Sequence, residues 1–251
     1  MTKSFELEVC CENWQQACAA NEAGATRIEL CSALSQGGVT PSLALVEKAV
    51  KELSLQVHVL IRPRGGDFLY NDAEIDLIKR DIEFCKSVGA HGVVFGFLKP
   101  DGQVDSDLTK QACQWAKPMK ITFHRAIDMC RDPLEAIDAL KETGINYVLT
   151  SGQAATAIEG SEMLAAIVKA AGSDFTIMPG SGVRVHNLQE LQRLSGARAF
   201  HMSARTAVDS AMTYRKTALS MGSQSLDEEY RIQTHDVDAL RQAVKIMQQF
   251  A

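Results

Sequence analysis

Cys10 and Cys31 close two short apolar runs, L-E-V-C at 7–10 and R-I-E-L-C at 27–31, and each follows a glutamate by two residues, Glu8 and Glu29. Neighbouring parallel strands lie about 4.8 Å apart, so thiols ending two consecutive strands can share one ion. Paired thiolates suit soft, low-coordinate Cu(I) better than Mg²⁺ or Ca²⁺. The competing reading treats each cysteine as a small buried hydrophobe, which also describes Cys18, Cys85, Cys113 and Cys130. Side chains alternate along a strand. If Leu7, Val9, Ile28 and Leu30 pack under helices, then Glu8, Cys10, Arg27, Glu29 and Cys31 share the opposite face, and Cys11 points away from it. Arg27 with the two glutamates reads either as a structural ion network or as part of a site.

The run I-R-P-R-G-G-D-F at 61–68 carries Arg62 and Arg64 as cationic forks beside a stiffening proline and two glycines, a loop suited to an anion. A solvated pair of arginine with Asp67 is the plainer alternative. T-F-H-R-A-I-D at 122–128 brings His124, Arg125 and Asp128 to the end of one strand, Ser151 ends another, and His201 lies on the last. Gly180, Ser181 and Gly182 form a turn whose backbone N–H groups can face an anion, or can merely join two elements. Glu8, Glu29 and His124 are the candidate proton-transfer groups. Carboxylates accept protons, and an imidazole near its ordinary pKa donates or accepts at neutral pH. Arg62, Arg64, Arg125, Asp128, Ser151, Gly180, Ser181, Gly182 and His201 are the candidate anion or substrate contacts, and Cys10 and Cys31 the candidate metal ligands. An arginine-rich mouth disfavours a bare cation, whereas adjacent thiols favour a soft metal, so both chemistries stand open.

These residues end β-branched runs at 4–10, 27–31, 56–62, 92–98, 120–126, 146–151, 175–179 and 198–203, separated by helical periodicity such as Ile75, Ile78, Ile82 and Cys85 or Leu134, Ile137 and Leu140. Strand and helix in alternation predict an α/β fold with a parallel sheet, and eight strands predict a closed (β/α)8 barrel. In such barrels the chemistry gathers at the strand C-terminal face. Gly24, Gly89, Gly144, Gly172 and Gly196 are expected to end helices in the left-handed conformation. The stretch from about 205 to 235 breaks the rhythm and reads as a long loop, either a lid or subunit contact or a surface excursion, with Tyr214, Arg215 and Tyr230 notable in it. A helix is expected over 236–250.

With 251 residues, 46% hydrophobic and 23% charged, the chain suits one globular domain over 1–251, since barrels commonly run to about 250 residues as a unit. The net charge of −5 and the lack of a basic, aromatic-interleaved helix argue against nucleic acid as partner. No run approaches the about 20 apolar residues of a membrane span, and the N-terminus lacks a signal-peptide core. Seven cysteines without C-x-x-C spacing are expected to be reduced, and the location cytoplasmic.

At these residues the chain resembles the CutC family of copper homeostasis proteins. The segments that carry the resemblance are L-E-V-C, R-I-E-L-C, G-G-V-T-P-S (37–42), I-R-P-R-G-G-D-F, T-F-H-R-A-I-D-M (122–129), V-L-T-S-G (148–152), P-G-S-G-V (179–183), F-H-M-S-A-R (200–205) and Y-R (214–215), in order along nearly the whole chain. The resemblance implies a TIM-type (β/α)8 barrel, a cytoplasmic homo-oligomer, commonly a dimer, and copper binding with Cys10 and Cys31 at the positions proposed as Cu(I) ligands. A TIM-barrel enzyme acting on a small carboxylate- or phosphate-bearing metabolite is the alternative.

Overall fold

The computed structural model describes residues 5–221, 225 and 228–250. Eight βα units run in order: β1 (Glu6–Cys11) and α1 (Trp14–Ala23), β2 (Arg27–Leu30) and α2 (Leu43–Glu52), β3 (Gln56–Leu60) and α3 (Asp72–Ser87), β4 (Gly92–Phe95) and α4 (Ser106–Ala116), β5 (Lys120–Phe123) and α5 (Pro133–Leu140), β6 (Tyr147–Thr150) and α6 (Ser161–Ala171), β7 (Thr176–Pro179) and α7 (Leu188–Ser195), then β8 (Ala199–Met202). A two-stranded excursion, β9 (Arg205–Asp209) and β10 (Arg231–His235), separates β8 from its helix α8 (Val237–Gln249). The parallel ladder runs from β7 round through β1 to β8, and the end strands meet to leave a nearly closed barrel. This is the expected TIM-type α/β architecture.

Alternation along the strands sorts the side chains into two layers. Val9, Ile28, Val57, Val93 and Phe123 are fully buried in the layer between strands and helices, where each stabilises by about 1.5–3 kcal/mol. Cys10, Cys31, Leu60 and Val94 form a separate apolar cluster inside the barrel. Register then fixes who meets whom: Glu8 pairs with Arg27 on one side and His201 on the other, and Cys10 pairs with Glu29. Strands are shorter than the β-branched runs, because Arg62, Gly96 and His124 have left the ladder and belong to the loops beyond it.

Helix ends obey local chemistry. Asn71 and Glu74 make a reciprocal capping box on α3, and Asp132 caps α5 with Pro133 in its first turn. The five helix-ending glycines all have positive φ, although Gly172, at ψ −117°, lies outside the left-handed helical region. The stretch after β8 differs from a plain loop: β9 and β10 pair antiparallel, with Thr206 opposite Thr234 and Val208 opposite Ile232. Its base is pinned by His235, which is buried, contacts Cys10 O at 2.9 Å and lies 3.7 Å from Cys11 Sγ. No helix of the described residues is long and apolar enough to cross a membrane.

Candidate functional site

A column of charged groups rises through the barrel interior. Arg27, 1% exposed, donates from Nε to Glu8 Oε2 at 2.6 Å and from Nη1 to Glu6 Oε2 at 2.9 Å, with its guanidinium stacked 4.3 Å from the Tyr147 ring centre. Glu8 Oε1 lies 2.7 Å from His201 Nδ1, and His201 Nε2 is 3.9 Å from Glu29 Oε2. Above them the Cys10 thiol donates to Glu29 Oε2 at 3.6 Å and stands 3.7 Å from Cys31 Sγ. One ligand atom from each of Cys10, Glu29 and His201 falls within 4.8 Å of the others.

Burial pulls these ionisations apart. Burial works against the Glu8 carboxylate, but the Arg27 and His201 charges outweigh it and hold the carboxyl well below the usual range. For Glu29 burial is the largest influence, and the His201 charge 3.9 Å away opposes it without prevailing. Burial, with the Glu8 charge adding, pushes it up to about 7. His201 is raised well above an ordinary histidine: burial opposes the charge, but its interactions with Cys10, Glu8 and Glu29 prevail. Contact with Cys31 and burial push the Cys10 thiol up. For Cys31 the contact with Cys10 lowers the pKa, yet burial leaves it raised. Both sulfurs are therefore thiols at neutral pH in the metal-free chain.

This column opens into a cavity of about 280 Å³ at the strand C-terminal mouth, lined among others by Cys10, Glu29, Arg62, His124 and His201. These five expected site residues thus reach one space, while Glu8 lies just beneath, behind His201. Arg62 is buried and donates to three backbone carbonyls: Nη1 to Gln36 and Gly38 at 3.0 and 2.9 Å, Nη2 to Gly66 at 2.6 Å. Arg64 turns outward and binds Glu74 at 2.6 Å and Asp67 at 3.0 Å, outside the residues that line the cavity. Arg125 reaches the rim between Asp128 (2.8 Å) and Ser151 Oγ (3.0 Å). Asp128 also accepts from Thr150 Oγ1, the Ser151 backbone and hydroxyl, and the Gln153 N–H, so it ties the ends of β5 and β6 together. In the turn after β7, Ser181 and Gly182 line the cavity. Ser181 Oγ donates to Ala155 O, and Gly180 allows close approach: a Cβ there would lie 2.5 Å from Leu149.

Sequence reasoning did not single out Phe68, Arg184 and Arg205, which also line the mouth, or Tyr147 and Met178, which wrap Arg27. Arg184 follows the P-G-S-G-V turn directly and was within reach of the same argument. Tyr147 was not, because its partner sits on a strand far away in sequence. His235, which reads as an ordinary loop residue, holds the hairpin to β1.

Comparison with known proteins accords with this geometry. The model of the CutC family matches residues 5–206. A CutC family protein of Chromobacterium violaceum is 45% identical over 240 residues, covering 95% of this chain and 97% of that protein. The human copper homeostasis protein cutC homolog is 42% identical over 237 residues, covering 94% of this chain and 87% of its own. The solved CutC structure from Streptococcus agalactiae superposes with a TM-score of 0.74 at 30% identity, covering 78% of this chain and 97% of that one. A family match over most of the barrel, with relatives above 40% identical along nearly the full length, establishes that this chain belongs to the CutC family.

Proposed function

We propose that this chain serves copper homeostasis by holding Cu(I) between Cys10 and Cys31 at the floor of the barrel mouth. The observation that carries the reading is the pair of thiol sulfurs 3.7 Å apart, one of which lines an open cavity. The donor set fits the ion: two soft sulfurs 3.7 Å apart, with the His201 imidazole close to Cys10, match Cu(I) and mismatch hard cations. Arginines at the mouth repel a bare cation, so the metal would enter as a neutral or anionic complex. Seven free cysteines suit a reducing, cytoplasmic setting in which copper is Cu(I). The exposed apolar side chains Val208, Met212, Tyr214 and Ile232 on and beside the hairpin support a homodimer.

A chromogenic Cu(I) chelator competed against the protein under reducing conditions tests the site. The Cys10→Ser, Cys31→Ser double variant is expected to lose retention, since a hydroxyl is a poor ligand for a soft ion. Equal retention by wild type and double variant would sink the thiol-pair site. Because both thiols must lose protons, apparent affinity should rise with pH.

A second reading has its own observation. Glu29, pushed up to about 7, faces His201 across 3.9 Å beside the same cavity, a pairing suited to proton transfer on a small anionic metabolite. A metabolite screen in which turnover appears and vanishes in Glu29→Gln supports it, and a screen without turnover removes it.

A further inference from the structure

Buried donors in folded proteins nearly always have partners. Two that belong to residues lining the mouth have none among the described residues: Arg62 Nε and His124 Nε2. The His124 tautomer follows from its other nitrogen. Nδ1 accepts the Ala126 backbone N–H at 3.2 Å, so a neutral ring carries its proton on Nε2. Burial, reinforced by the Arg62 charge, pushes this imidazole down to about 3, so the ring is neutral in ordinary conditions. Nε2 is therefore an N–H donor.

Both donors are held rigidly. The other two nitrogens of Arg62 are committed to the carbonyls of Gln36, Gly38 and Gly66. His124 sits against the Gly96 backbone, where even a Cβ would come 2.5 Å from Nδ1. The two side chains meet at Phe68: the Arg62 guanidinium lies 4.8 Å from its ring centre and His124 packs edge-on at 4.9 Å. Around them the cavity is cationic. Arg62, Arg125, Arg184 and Arg205 line it against the single carboxyl of Glu29, a field that draws in anions.

We infer that Arg62 Nε–H and His124 Nε2–H form a second binding site in the mouth, separate from the thiol pair, which takes the carboxylate of a small organic acid. Two unpartnered N–H donors, on residues that line one cavity and pack on the same phenyl ring, are equal in number to the two oxygens of a planar carboxylate. A phosphate offers three oxygens and more charge, and Arg62 already shares its charge with three carbonyls. The cavity volume of about 280 Å³ suits a few-carbon acid. This deepens the second reading by naming its ligand class, and it requires binding only, without turnover.

Isothermal titration of the metal-free full chain with acetate, malonate and succinate, against inorganic phosphate and sulfate, tests it. A carboxylate should bind, with phosphate and sulfate weaker by about tenfold or more, the cost of groups that do not fit two charge-assisted bonds. His124→Asn keeps an acceptor for the Ala126 N–H and removes the Nε2 donor, so it should weaken the carboxylate by about tenfold while the protein stays folded. In the ¹⁵N-labelled wild type, the His124 Nε2–H signal should shift on carboxylate addition, a readout independent of any variant. Absence of both heat and shift overturns the site. So does equal binding of carboxylate, phosphate and sulfate, or unchanged carboxylate affinity in His124→Asn, either of which indicates an unspecific cationic mouth. The Cys10→Ser, Cys31→Ser variant separates the sites by losing copper while keeping carboxylate, and a failed turnover screen leaves the binding result standing.

Discussion

The two halves of the barrel mouth use similar residue types to opposite ends. On the β5–β6 side, Asp128 accepts from Thr150, Ser151, Gln153 and Arg125, and its bonding capacity is spent on joining two strand ends. On the β1–β2–β8 side, Cys10, Cys31, Glu29 and His201 approach one another at 3.6–3.9 Å, and all but the fully buried Cys31 still face open space. Charge and position alone do not mark a functional group. Bonding capacity left over after folding does, and Arg62 contains both cases in one side chain: two nitrogens spent on carbonyls, one unspent.

The sharpest way to break this comparison is at Arg27, which looks like site chemistry in sequence and behaves as a brace. Arg27→Met leaves the fully buried Glu8 without its guanidinium partner, and breaking one side of a buried pair costs about 3–5 kcal/mol. Urea denaturation should show that loss, and Arg27→Met combined with Glu8→Gln should recover part of it. If the single variant is as stable as wild type, the brace assignment fails. Asp128→Asn comes next. It weakens several charge-assisted bonds at once, and a loss of about 2–3 kcal/mol is expected, with copper retention unchanged.

Much of this was legible in the chain. Strand order followed from β-branched runs ended by polar groups, and the alternation that sends Glu8, Cys10, Arg27 and Glu29 inward while Cys11 faces out follows from the period of two. What the sequence hides is where a side chain's hydrogen bonds go. Arg62 and Arg64 are two residues apart and alike on paper, yet one reaches inward under the loop at 36–38 and the other outward to Glu74. That divergence depends on the path of two loops, which no local pattern encodes. The β9–β10 hairpin was hidden for a related reason: its short strands pair across 21 residues between Asp209 and Arg231, part of which lies outside the described residues.

A smaller effect separates buried histidines by pH. His58 is fully buried, makes no hydrogen bond from either ring nitrogen among the described residues, and is pushed down to about 3, first by burial and then by the Arg27 charge. Between pH 3 and 6.5 the unfolded chain binds the proton that folded His58 refuses, so this contribution is complete above 6.5 and is lost as pH falls towards 3. At about 1.4 kcal/mol per pH unit, moving from pH 7.5 to 5 should cost about 2 kcal/mol through this one residue. The wild-type stability minus that of His58→Leu should shrink by that amount over the interval. A difference independent of pH would show that His58 titrates in the folded protein as it does in the unfolded chain.

The smallest effect sharpens the comparison most, because it concerns the neighbour of the residue that matters. Arg64 is more than a third exposed on its side chain and pairs with Glu74 and Asp67 in solvent. Screened surface pairs contribute little, and none of its bonds enters the mouth. Arg64→Ala should therefore leave Cu(I) retention and carboxylate affinity within about twofold of wild type, as expected for a rim pair, whereas Arg62→Lys, which keeps the charge and removes the Nε donor, should lose the carboxylate. If Arg64→Ala lost the anion as well, the unspent nitrogen of Arg62 would not be what binds it, and net charge at the rim would explain the affinity instead.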